Sequence, residues 1–122
     1  MTTSEMATVL AWHDALNERD FDTLVRLSSD DIEVGDANGA AQGHTALLEW
    51  AQSAGIKAEP GRMYVHDGVV VVEQQVTSAD GQTTPMASAF RVVQDHVTSV
   101  FRHPDLESAL AATDLTEEDL MG

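Results

Sequence analysis

The sequence predicts an α+β domain: three helices in the N-terminal half with one short hairpin among them, then a long antiparallel meander. Three observations carry that prediction. Apolar residues recur at helical spacing through Leu27. Asn38-Gly39, Asp67-Gly68 and Asp80-Gly81 then mark hairpin turns. The stretches between those turns are strand-sized and rich in β-branched residues, Val69 to Val72 being the longest apolar run.

Taken in order, Thr2 and Glu5 have capping-box spacing just ahead of the apolar positions. Met6, Val9, Leu10, His13 and Leu16 form one buried helical face, with Trp12 at its edge. That helix stops near Asn17–Arg19, and Asp20 caps a second, short one through Phe21, Leu24 and Leu27. Ser28, Ser29 and Asp30 end it. Ile32 and Val34 alternate with polar neighbours as a strand with one buried face does, and Ala40 to Gly43 is its short return. A third helix carries Thr45, Leu47, Leu48, Trp50 and Ala51 and is closed by Gly55 after Ala54.

The meander follows as Lys57–His66, with an edge or bulge at Pro60-Gly61, then Val69–Thr77 and Thr84–Gln94. A tight turn at Asp95 leads to Val97–His103. Pro104 blocks further pairing, Asp105 caps, and Leu106–Ala112 is a terminal helix. The acidic end, Thr116 to Gly122, reads as one more helical turn or a frayed tail. A curled sheet of this kind cannot be filled by its own side chains. The three helices close its concave side, and what they fail to fill becomes a cavity.

At 122 residues the chain is one domain with a single core. Its net charge is −15, from 21 acidic residues against 6 basic ones, a surface that repels nucleic acid and anionic membranes and serves solubility. No apolar run is long enough to span a bilayer. The first residues, MTTSEMATVL, lack the basic-then-apolar pattern of a signal peptide, so the cytoplasm is the expected location. The absence of cysteine excludes disulfides, thiolate metal sites and cysteine nucleophiles.

Ala15-Leu16-Asn17, then Asp20-Phe21-Asp22 and Leu24, Leu27, Asp30-Asp31-Ile32-Glu33-Val34, Gly43 and Leu47 through Trp50 carry a likeness. In these residues, and in the hairpin order after Lys57, the chain resembles the nuclear transport factor 2-like superfamily, within it the SnoaL-like and ketosteroid-isomerase-like branch. The likeness spans nearly the whole chain and implies a cone-shaped, cystatin-like α+β roll. It speaks for fold far more than for activity. That superfamily holds isomerases, cyclases, dehydratases, epoxide hydrolases and members with no known reaction.

Carried over by position, the resemblance puts a proton-moving aspartate at Asp36, after the first strand. Where the isomerase branch has an oxyanion-donating tyrosine on the first helix this chain has Trp12, and Ser88 takes the place of a protonated aspartate on the penultimate strand. Each has one hydrogen to donate, but both are weaker acids than the groups they replace, which argues against true steroid isomerisation.

Each candidate has a plainer reading beside the functional one. Asp36 is also an ordinary hairpin-entry residue in Asp36-Ala37-Asn38-Gly39. His13 is a satisfied core histidine or an acid/base partner of Asp36. Trp12, Trp50, Tyr64 and Met86 line an apolar pocket for a flat ligand or are core packing. His103 and Asp105 lie at the end of the last strand, where relatives place a polar pocket residue, and the strand register that sets the face of His103 is not fixed by sequence. Arg91 and Arg102 read as surface partners of the many acids. His13, His44, His66, His96 and His103 form no helical pair and no cluster, so no metal is expected. With no Gly-x-Ser-x-Gly and no glycine-rich phosphate loop, neither a serine nucleophile nor a cofactor is expected.

Two functions therefore stay open. In one, the domain binds a small hydrophobic molecule and Asp36 moves a proton on a carbonyl compound as a cofactor-independent isomerase, cyclase or dehydratase, with Trp12, His13 or Tyr64 polarising the oxygen. In the other, it is a non-catalytic ligand-binding or accessory module with a vestigial pocket. The resemblance implies a homodimer through the open face of the sheet, to which Ala87, Ala89 and Val93 would contribute. The acidic stretch from Asp114 to Asp119 reads as a solvated end.

Overall fold

The computed structural model describes the chain except residues 1, 37–38, 54–56, 79 and 122; for residues 2–4, 36, 53, 57–58, 117 and 121 it describes the backbone alone. Helix α1 (Thr2–Glu18) gives way to α2 (Phe21–Arg26) through a left-handed Arg19 at φ 57°. Asp20 then caps α2, its carboxylate accepting from the Thr23 N–H at 3.3 Å and the Thr23 hydroxyl at 2.7 Å.

Strand β1 (Ser28–Asp36) begins directly after Leu27, so Ser28, Ser29 and Asp30 belong to the strand instead of trailing off the helix. Pairing from far along the chain is the reason. The Val97 N–H donates to the Leu27 carbonyl at 2.8 Å, and Ser28 lies opposite Val97. β2 (Gly39–Gln42) folds back on β1 with Gly39 opposite Asp36. A side chain at Gly35 would meet the Gly39 carbonyl at 2.6 Å, so the hairpin closes this tightly only over glycine. The turn residue Asn38 lies outside the described residues, as does the expected stop at Gly55 after α3 (His44–Ser53).

The meander is β3 (Lys57–His66), β4 (Val69–Thr77), β5 (Thr83–Val93) and β6 (His96–His103). The register shifts between Pro60 and Met63, which is the bulge signalled by Pro60-Gly61. Asp67-Gly68 (φ 49° and 81°) and Gln94-Asp95 (φ 50° and 64°) turn the chain with both positions left-handed, as tight hairpins require. Helix α4 (Leu106–Thr113) follows, capped by Asp105, and the chain ends in a 3-10 turn (Glu117–Asp119) and a short β7 (Leu120–Met121). Within this stretch Leu120 and Met121 pair with Tyr64 and Met63, occupying the edge that β3 would otherwise leave open.

The strands stand in the order β2-β1-β6-β5-β4-β3-β7. β1 and β6 pair in parallel, with Gly35 opposite Phe101. Both strands thus finish at the same end of the sheet, and the backbone of Asp36 arrives there beside the end of β6.

The inner face of the sheet meets α1, α2 and α3. Val9, Trp12, Leu16, Leu24, Leu47 and Ala51 pack there on Met63, Val70, Val72, Phe90 and Val100. The buried stripe of α1 is Val9, Trp12, His13 and Leu16, a strict helical repeat, whereas Leu10 is 40% exposed, outside the face assigned to it from spacing. On the outer face α4 lies over β4 and β5, where Ala109 and Leu115 pack on Tyr64, Val71, Ala87 and Ala89. Two faces of one sheet are thus covered by different parts of the chain. Among the described residues no helix is long and apolar enough to cross a membrane.

Candidate functional site

The site is built from the stripe of α1 and the inward residues of β4, β5 and β6. Trp12 and His13 are fully buried. The Trp12 ring lies 5.3 Å from Phe90 edge-on and 5.8 Å from Trp50, and His13 lies 5.3 Å from Phe90. Such edge-on aromatic packing favours one fixed arrangement over a fluid one.

A chain of hydrogen bonds runs through this apolar setting. The Ser88 hydroxyl donates to the Gln74 Oε1 at 2.8 Å, and the Gln74 amide nitrogen lies 2.7 Å from His13 Nε2. His13 Nδ1 lies 2.9 Å from the Val9 carbonyl. A carbonyl only accepts, so Nδ1 carries the hydrogen and Nε2 accepts from Gln74. One tautomer satisfies every partner. Burial drives the His13 pKa below its ordinary 6.5; the bond to Val9 opposes this in part, and the nearby Arg102 charge adds to the lowering. The imidazole is neutral at pH 7. A second, shorter chain runs from Trp12 Nε1 to the Ser28 hydroxyl at 3.0 Å and on to the Leu24 carbonyl at 2.7 Å.

These two chains take up the hydrogens of Trp12 and Ser88, the two residues that the resemblance sets at oxyanion-donor positions. Trp12 gives its N–H to Ser28, and Ser88 its O–H to Gln74. A different polar group stands on the inner wall. Arg102 lies opposite Ser88 on β6, half-buried, with its guanidinium 5.2 Å from the centre of the Trp50 ring. Met86, opposite Gln74, is half-buried on the same wall.

The structure thus gathers Trp12, His13, Ser88, Trp50 and Met86 on the inner side. It separates Tyr64 and His103 from them. Tyr64 lies opposite Val71 and packs beneath α4, and His103 lies opposite Ala87, on the outer face. His103 therefore does not meet His13, and Tyr64 does not line a pocket with Trp12. The cause is strand parity: Met63 and Val65 point inward, so Tyr64 points out. The side chain of Asp36 lies outside the described residues. Ala87 and Ala89 are covered by α4 of the same chain, while Val93 is 49% exposed beyond it.

Two members of the site escaped the sequence reading. Gln74 continues the inward parity of Val70 and Val72, so its polarity at a core position was the available signal. Arg102 shares parity with Val100 and is half-buried against Trp50, a position that its reading as a surface residue did not give. Among the described residues no group of three or more His, Asp or Glu is placed to hold a metal ion.

Residues 9–102 match the model of the SnoaL-like domain, and the chain belongs to that family. Its fold is that of nuclear transport factor 2-like proteins. It is similar to a structure from Sinorhizobium meliloti assigned as a polyketide cyclase, at 23% identity and TM-score 0.72, covering 79% of this chain and 93% of that one. A structure from Kribbella flavida assigned as a ketosteroid isomerase is similar at 19% identity and TM-score 0.75, covering 84% and 78%. TerC, co-crystallised with polyporic acid, is similar at 18% identity and TM-score 0.71, covering 92% and 97%. No curated protein matches the chain.

Proposed function

We propose that the protein binds a small, flat hydrophobic molecule bearing an electron-rich oxygen, seated on the inner face against Trp50 and Arg102. The single observation that carries this is the Arg102 guanidinium held 5.2 Å over the Trp50 ring. An indole face offers apolar surface to a planar ligand, and a guanidinium beside it holds an oxyanion through paired N–H groups. Ligand binding by the similarly folded TerC, co-crystallised with polyporic acid, is in keeping with this reading.

In its catalytic form, Asp36 takes a proton from a carbon beside a carbonyl and Arg102 stabilises the enolate oxygen that results. Return of the proton elsewhere gives isomerisation; ring closure or loss of water gives cyclase or dehydratase chemistry. No cofactor takes part. His13 serves as a neutral positioning group, since both ring nitrogens are engaged and it enters the chemistry only if Gln74 releases Nε2.

One observation favours the second reading, a non-catalytic binding or dimeric accessory module: the hydrogens of Trp12 and Ser88 are both spent inside the protein. A thermal-shift screen with planar phenols, enones and polyketide-like aromatics separates the cases. Stabilisation by one of them that is lost in Arg102→Gln and weakened in Arg102→Lys, whose ammonium cannot present paired N–H groups, supports the site. Deuterium exchange beside the carbonyl of that ligand, lost in Asp36→Asn with binding retained, supports catalysis. Binding without exchange in the wild type favours the accessory module, and binding unchanged in Arg102→Gln sinks the proposed site.

A further inference from the structure

We infer that the outer face of the sheet carries a second small-molecule site, fitted to an aromatic monocarboxylate. It opens on the other side of the sheet from Trp50, and Arg102 and Phe90 contribute to its lining as well. α4 covers the β4–β5 part of the outer face and ends at Thr113, where Asp114 takes a left-handed φ of 60°. From there the chain leads back to pair with β3 at the far side of the sheet. A cavity of about 490 Å³ opens between the end of the helix and the β5–β6 pair. Small-molecule sites fall at about 300–1,000 Å³.

The register orders the floor of this cavity. Ala89 lies opposite Phe101 in the middle, Arg91 opposite Ser99 at one end, and Ala87 opposite His103 at the other. A flat ring laid on Phe101 and Ala89, with Ala112 of α4 as its wall, has a cation at one end and an imidazole at the other. Charge decides the occupant. The chain has 21 acidic residues, and Arg62 pairs with Glu73 at 3.1 Å, yet among the described residues no carboxylate pairs with Arg91. A carboxylate from outside completes it, through the two parallel N–H groups a guanidinium presents. Asp114, which also lines the cavity, opposes a second negative charge and so selects a monoanion over a dicarboxylate. A hydroxyl on the far side of the ring meets His103.

The test is titration of the full chain with 4-hydroxybenzoate, followed residue by residue by amide NMR. Saturable shifts are expected at Arg91, Phe101 and Thr113. Arg91→Gln, at an exposed position, should weaken binding by about tenfold or more, since its amide cannot present the paired, charge-assisted N–H groups. Ala112→Trp, also from an exposed position, should fill the cavity and abolish binding with the circular dichroism unchanged. The uncharged 4-hydroxybenzyl alcohol should not bind. Shifts centred on Trp50 instead, or wild-type affinity in Arg91→Gln, overturn the proposal. So does an acid that fails to bind while Ala112→Trp dissociates a dimer, which would make this face an interface between copies.

Discussion

The two faces of the sheet handle polarity in opposite ways. The inner face buries Gln74, Ser88 and His13 almost completely and satisfies them with one another. The outer face packs Tyr64, Val71 and Ala87 under α4, then leaves Arg91, Phe101 and His103 around an open cavity. The difference follows from cover. Three helices close the inner face, so every polar group there needs a protein partner or costs about 1–3 kcal/mol. A single helix of 8 residues crosses the outer face, and groups beyond its end keep access to solvent. Precision is built inside and availability outside.

Equal treatment of one aromatic from each face should expose that contrast most strongly. Trp12→Ala removes a side chain with no exposure and is expected to cost about 3–5 kcal/mol in urea unfolding. Phe101→Ala, at a half-exposed outer position, is expected to cost about 1 kcal/mol or less. Similar losses for the two would dissolve the distinction.

The polar chain gives the next effect. Gln74→Ala leaves His13 Nε2 and the Ser88 hydroxyl without partners and should destabilise by about 2–4 kcal/mol. Its exposed neighbour Gln75→Ala should stay within about 0.5 kcal/mol. Equal effects at the two glutamines would mean the chain contributes nothing.

A pH series sharpens the same point. The folded pKa of His13 lies below 6.5, so the unfolded chain takes up the proton first. The His13 contribution is complete above pH 6.5 and is lost as pH falls below it. The midpoint of urea unfolding should therefore decline from about pH 6.5 downward, and this part of the decline should be missing in His13→Gln. The hydrogen-bonded carboxylates of Asp20, Asp80 and Asp105 have pKa values below 3.8, so their contributions are lost only in a lower window. An unchanged slope in His13→Gln would remove His13 as its source.

The smallest effect belongs to the sheet edge. Removing Leu120 through Gly122 should cost about 1 kcal/mol or less, since one of its side chains, Leu120, is 39% exposed. Hydrogen exchange should nonetheless quicken at the amides of Met63 and Tyr64, which β7 pairs. Unchanged exchange there would show that β7 does not protect the edge.

The elements were legible because their causes are local. Asp20 and Asp105 cap helices, Asp67-Gly68 turns a hairpin, and Pro60-Gly61 bends a strand, each through bonds or torsions within a few residues. That is why β3 and β4 fall where the turns put them. The fold class follows from the same marks, since helices that precede a meander have one concave face to cover. The face of each site residue was a different matter. His13 meets Gln74 across 61 positions of sequence, and the parallel pairing of β1 with β6 brings together the two strands whose ends frame the inner wall. No local signal holds such partners. A one-residue change of register would exchange Gln74 for Glu73 and Tyr64 for Met63, and α4, amphipathic on its own account, could have covered either side. Local chemistry along the chain set which segments are helices, strands and turns. The tertiary structure alone decided that Tyr64 and His103 look outward and that Arg102 stands over Trp50, because register and layer order are settled by packing between segments distant in the chain.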